Sequence, residues 1–75
     1  MSLLMRTTDE LCQIAGYGGG FRIDGSMRST DDLCRIAGYS KGKGNTLAFT
    51  GMASRPTADL CRIGGYAPGN VIFED

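Results

Sequence analysis

The 75-residue sequence contains no histidine and no tryptophan. Lacking histidine, it lacks the side chain that most often serves as general base and as metal ligand. No charge of one sign is in excess, because eight Lys and Arg balance eight Asp and Glu. Such a balance leaves no electrostatic footprint for nucleic acid or for an anionic membrane. Long hydrophobic runs are missing too: the apolar stretches cover only a few residues, against about 20 for a bilayer-spanning helix. No charged, apolar, small-residue leader precedes the first patterned block, and Met1-Ser2-Leu3 reads as a cloning leader. Cysteine is sparse and odd in number, at Cys12, Cys34 and Cys61, which argues against a closed disulfide framework. Together these absences predict a soluble, cytoplasmic protein, or part of a larger assembly, with no nucleic acid or membrane partner.

What the sequence does have is internal similarity. Arg6 to Tyr17 returns at Arg28 to Tyr39 and again at Arg55 to Tyr66, with offsets of 22 and 27 residues. Seven of the twelve positions are identical in all three blocks, namely Arg, Thr, Leu, Cys, Ile, Gly and Tyr. An eighth is always acidic, at Glu10, Asp32 and Asp59. Self-similarity of this kind signals a repeated structural unit, and divides a single domain over 1–75 into units 6–27, 28–54 and 55–75.

Each block reads as a helix of about two turns. Thr8, Thr30 and Thr57 suit the N-cap, and the acidic residues behind them suit the first turn. Gly16, Gly38 and Gly65 suit a left-handed helix stop, with Tyr17, Tyr39 and Tyr66 packing back over the last turn. Helical spacing puts Leu11, Ile14 and Ala15 on one stripe with Cys12 at its flank. The same holds for Leu33, Cys34, Ile36 and Ala37, and for Leu60, Cys61 and Ile63. A segment alternating with period two follows each helix: Phe21 to Gly25, Leu47 to Gly51 and Val71 to Asp75. These read as half-buried strands. Phe21, Ile23, Leu47, Phe49, Val71 and Phe73 face the helices. Arg22, Asp24, Ala48, Thr50, Ile72 and Glu74 face outward. Gly18 to Gly20, Gly42 to Asn45 and Pro68 to Asn70 supply turns.

The fold class is therefore α/β, three tandem short helix–strand repeats. Two arrangements satisfy it. The chain boundaries favour a compact pseudo-threefold domain, since three full units carry no distinct polar cap. The alternative is an open three-stranded parallel sheet with helices on one face, like a leucine-rich repeat in period but without its Leu and Asn signature. A domain of this size buries only about 60% of its unfolded surface. With an open strand edge in the second arrangement, this predicts a homo-oligomer and leaves room for an outside protein partner.

Candidate sites follow the repeated residues. Cys12, Cys34 and Cys61 could form a three-thiolate metal site if a threefold axis brought them together, but they read first as small apolar residues beside a helical stripe. Arg6, Arg28 and Arg55 could converge on an anion near helix N-termini, but each also stands four residues before a carboxylate. Lys41-Gly42-Lys43-Gly44 lacks Walker A spacing and reads as a solvated loop. The tyrosines read as helix-stop packing before a stacking platform. Asp32 to Ser40 resembles the helix and turn of AraC-type helix-turn-helix domains. That resemblance implies a DNA-recognition helix after the turn, where Lys41 to Gly44 cannot sustain one.

No nucleophile–base pair is visible, so neither an enzyme nor a cofactor is expected. The leading expectation is a non-enzymatic interaction or assembly module that self-associates through the outward residues Arg22, Asp24, Ala48, Thr50, Ile72 and Glu74. The alternative is a small-ligand or metal-binding protein using the three cysteines or the three arginines.

Overall fold

The computed structural model describes residues 6–75, so the Met1-Ser2-Leu3 leader lies outside it. The elements run α1 (Thr8–Gly16), β1 (Phe21–Asp24), α2 (Thr30–Ser40), β2 (Leu47–Thr50), α3 (Thr57–Tyr66) and β3 (Val71–Phe73). The strands form one parallel sheet in the order β1-β2-β3. The open sheet is thus the arrangement adopted, and the pseudo-threefold ring is not. Each helix carries the chain forward by one strand position, so β2 is central and β1 and β3 are edges. The three strands thus form a row with two open edges.

Alternation along the strands decides the two faces. Ile23, Leu47 and Phe49 are fully buried under the helices, and Phe21, Val71 and Phe73 are partly buried beside them. Leu11, Ala15, Leu33, Ile36, Ala37 and Ile63 supply the helical side of the core. The helices cover one face only. The shortest dimension, 17 Å, accommodates one helix layer on one sheet at about 10 Å spacing.

Two local expectations need correction. The helix caps lie one residue earlier than Thr8, Thr30 and Thr57. Thr7 caps α1 through a capping box, accepting from the Glu10 N–H while Glu10 accepts from the Thr7 N–H at 2.9 Å. Ser29 caps α2 by accepting from the Asp32 N–H, and Pro56 leaves α3 without a side-chain cap. Nor are Gly16, Gly38 and Gly65 left-handed stops, since the positive-φ glycines are Gly18, Gly42, Gly44, Gly51 and Gly69. Gly38 and Gly65 lie within their helices.

The capping box has a pH signature. The Thr7 backbone N–H holds the Glu10 carboxyl below its ordinary value, outweighing an opposing desolvation, with the nearby Arg6 charge adding a smaller effect in the same direction. Folding therefore favours the ionised form. That contribution is present above the ordinary carboxylate value and is lost as pH falls through the depressed one. Glu10→Gln is expected to flatten the acid limb of the stability curve and to lower the neutral plateau slightly. Urea midpoints at a series of pH values check it; an unchanged acid limb refutes it.

Candidate functional site

The residues shared by the three blocks turn out to bind each block to the one before it. The Arg28 guanidinium donates to Thr8 Oγ1 at 3.0 Å and to the Arg6 carbonyl at 2.7 Å. Arg55 repeats this one block later, donating to Thr30 Oγ1 at 2.7 Å and to the Gly25 and Arg28 carbonyls. Only Arg6 makes the local pair anticipated from spacing, with Glu10 at 3.5 Å. The three arginines do not converge: Arg28 and Arg55 spend their donors on protein acceptors, which leaves the Arg28 Nε buried without a partner. Thr8 and Thr30 thus serve as arginine acceptors instead of caps.

A second junction joins the helices on their outer surface. Arg35 on α2 donates to Asp9 on α1 at 2.8 Å, and Arg62 on α3 donates to Asp31 on α2 at 3.0 Å. Each pair is solvent-exposed and is worth at most about 1 kcal/mol. The matching positions beyond these pairs are uncharged, with Gln13 on α1 and Ala58 on α3.

A third junction explains the shared glycines and tyrosines. A Cβ built on Gly16 would stand 3.4 Å from the Tyr39 ring, and one on Gly38 would stand 3.7 Å from the Tyr66 ring. Each ring lies against the helix before its own, so the glycine is a seat for an aromatic edge. Tyr17 has no earlier helix among the described residues and is 94% exposed, and Gly65 has nothing within 4 Å. Tyr39 and Tyr66 therefore pack across the junction to the preceding helix, and Tyr17 packs over neither its own last turn nor another described helix.

Between α2 and α3 this arrangement leaves an open groove of about 410 Å³, walled by Cys34, Arg35, Tyr39, Arg62 and Tyr66. Cys34 and Cys12 are buried, Cys61 is exposed, and all three are free thiols on successive helices. Burial pushes the Cys12 and Cys34 thiols up, against a smaller opposing effect of Arg35 and Arg62 respectively, which makes both poor nucleophiles at neutral pH. Among the described residues no group of three His, Cys, Asp or Glu side chains is placed to hold a metal ion. The convergence that a three-thiolate site requires is absent because the blocks stack in a row.

At the loop end of the sheet, two asparagines do what their sequence did not advertise. Asn45 is buried and donates through Nδ2 to the Ala15 and Gly19 carbonyls at 3.2 and 2.8 Å. Asn70 repeats the pattern toward the Ser40 and Asn45 carbonyls at 3.1 and 2.8 Å. The carboxamide of one layer thus satisfies the turn carbonyls of the layer before it. An Asn near the end of the second and third turns was the available signal, but its absence from the first turn, Gly18 to Gly20, and its unequal spacing to the strand hid it.

The outward sheet face gathers all six residues proposed from sequence. Strand register places Arg22, Ala48 and Ile72 in one row and Asp24 beside Thr50 in the next. Arg22 reaches across the small Ala48 to Glu74 at 2.9 Å. Asp24 accepts from Ser26 Oγ at 2.7 Å and from its N–H at 2.9 Å, which holds its carboxyl low. Ile72 is 48% exposed on the edge strand. No described helix is long and apolar enough to cross a membrane. Comparison with protein-family models, curated proteins and solved structures finds no match to the chain.

Proposed function

We propose that the protein is a non-enzymatic interaction and assembly module that associates with itself. One observation carries the reading. The middle layer buries Leu33, Cys34, Ile36, Leu47 and Phe49 to 4% exposure or less, but in the outer layers only Leu11, Cys12, Ile23 and Ile63 of their counterparts are as well covered. Leu60, Val71 and Phe73 on one side and Ile14 and Phe21 on the other are only partly buried, and Cys61 is exposed. Apolar positions of a stack that lack a neighbour are surfaces that a neighbour would stabilise. The open β1 and β3 edges add unpaired backbone groups to the same surfaces.

The test is molar mass by light scattering after size exclusion, at several concentrations in reductant. A mass above 8.0 kDa that rises with concentration supports the reading; a monomer throughout removes it. Ile72→Lys is expected to weaken association by about tenfold or more, because it puts a charge on the exposed apolar residue of an edge strand. An unchanged mass profile for that variant removes Ile72 from the contact.

A second reading, a small-ligand protein, draws on the groove between α2 and α3. Its volume lies in the range of small-molecule sites, and two tyrosine rings and Cys34 line it. The guanidinium groups beside it are already paired with Asp9 and Asp31, so planar aromatic compounds are the class it would take. Tyrosine fluorescence that stays constant across a panel of such compounds removes this reading.

A further inference from the structure

The reading above leaves the partner surface unspecified; resting on that reading, we infer that a second copy of the chain seats head to tail, with its β1, Tyr17 and Arg6 continuing the stack over β3, Gly65 and Thr57 of the copy before it.

The two outer surfaces are complementary because they are the two halves of one junction that the molecule already makes twice. Inside the chain, the later block presents its Arg, its Tyr and the apolar residues near its strand start. The earlier block presents its Thr hydroxyl, its bare Gly and its Leu and Cys. Arg28 meets Thr8 and Arg55 meets Thr30; Tyr39 meets Gly16 and Tyr66 meets Gly38. The unmatched members are Tyr17, 94% exposed, and Gly65, open to 4 Å. Thr57 is exposed where its counterparts Thr8 and Thr30 are part-buried under the following arginine. The residues that lose cover follow the same rule. Ile14 and Phe21 are open on the leading side, and Leu60 and Cys61 on the trailing side.

Charge is compatible with this seating. Gln13 and Ala58 occupy the places that hold an Arg and an Asp at the internal junctions, so the junction between copies leaves no unpaired ion there. It also lacks the ion pair. The continued register puts Asp24 beside Glu74, but Asp24 is held by Ser26 and Glu74 by Arg22. A contact between copies is therefore weaker than the equivalent contact within one. Since leading and trailing surfaces differ, the contact is heterologous, and repeating the strand-to-strand step of this open sheet extends it as a row.

The experiment blocks one surface at a time. Tyr17→Glu alters an exposed side chain on the leading surface, and Cys61→Glu alters an exposed one on the trailing surface. Circular dichroism and melting checks that each variant folds as the parent does. The parent is expected to grow in mass with concentration without a plateau, and each variant alone to stay at one chain. An equimolar mixture is expected to stop at twice the chain mass, because one free leading surface meets one free trailing surface. A parent that stays monomeric overturns both the self-association reading and this inference. A parent that associates while either variant still self-associates, or while the mixture fails to pair, overturns head-to-tail seating and leaves self-association standing. If a variant unfolds, Tyr17→Ser or Cys61→Ser with cross-linking of Lys41 and Lys43 amines replaces it, and loss of cross-linked dimer in the single variants but not in their mixture is the expected result.

Discussion

Phe49→Ala is expected to remove a large share of the chain's stability, about 3–5 kcal/mol. Phe49 is fully buried at the centre of the middle strand, with Ile23 and Phe73 as its register partners. Truncating a buried phenylalanine costs about 3–5 kcal/mol, through lost transfer energy and the cavity left behind. A domain of this length has a total stability of roughly 4–11 kcal/mol, so the loss brings the chain to its folding midpoint at the lower end of that range and leaves it folded but weakened at the upper end. The side chain cannot be replaced by relaxation. Helices sit above it, and Gly25 and Met52 already crowd its flank: a Cβ on Gly25 would stand 2.9 Å from Met52 Sδ and 3.5 Å from Phe49 Cβ. Phe73→Ala on the edge strand serves as comparison. Phe73 is only partly buried, so about half the loss is expected. Urea titration followed by far-ultraviolet circular dichroism separates the two. Equal losses at both positions would mean that the core is not centred on β2.

Asn45→Asp is expected to destabilise on the order of 3 kcal/mol at neutral pH despite its nearly identical shape. The asparagine donates to the Ala15 and Gly19 carbonyls, 3.2 and 2.8 Å away. Replacing the amide nitrogen by oxygen removes both hydrogen bonds and leaves two carbonyls facing an acceptor, at about 1–3 kcal/mol for each orphaned buried group. The introduced carboxyl is destabilised when ionised, so its folded pKa rises above the ordinary value of about 3.9. The variant therefore recovers stability below that ordinary value and loses it as pH rises through the raised one. The slope is opposite to that contributed by Glu10, whose carboxyl is held low. Urea midpoints at pH 3.5 and pH 7 give the sign directly; a variant no weaker at pH 7 would show that the asparagine ladder is not a structural tie.

Much of the local architecture was legible. The order of helices and strands, the inward-facing Leu, Ile and Phe positions, and the six outward sheet residues all follow from periods of 3.6 and 2.0. The misreadings share one cause. Thr8, Gly16, Tyr17 and Arg28 were each explained within their own block, as cap, stop, stop packing and local ion pair. Three of these four roles belong to the junction with the neighbouring block, and Tyr17 is left open at the outer surface. The capping box of Thr7 and Glu10 was overlooked because Thr7 is not shared, being Ser29 and Pro56 in the other blocks. Identity across blocks therefore marked stacking contacts more faithfully than helix ends.

The sequence by itself determined what each short segment becomes and which side of it turns inward, because hydrophobic periodicity and turn chemistry act within a few residues. Only the tertiary structure decided between a ring and a row. That choice depends on the step from one strand to the next, which is set by backbone pairing among β1, β2 and β3 and leaves no trace in any one segment's pattern. The same step determined that the three cysteines stay apart, that Arg28 and Arg55 reach backward, and that Tyr17 and Gly65 are left without partners at opposite ends of the stack.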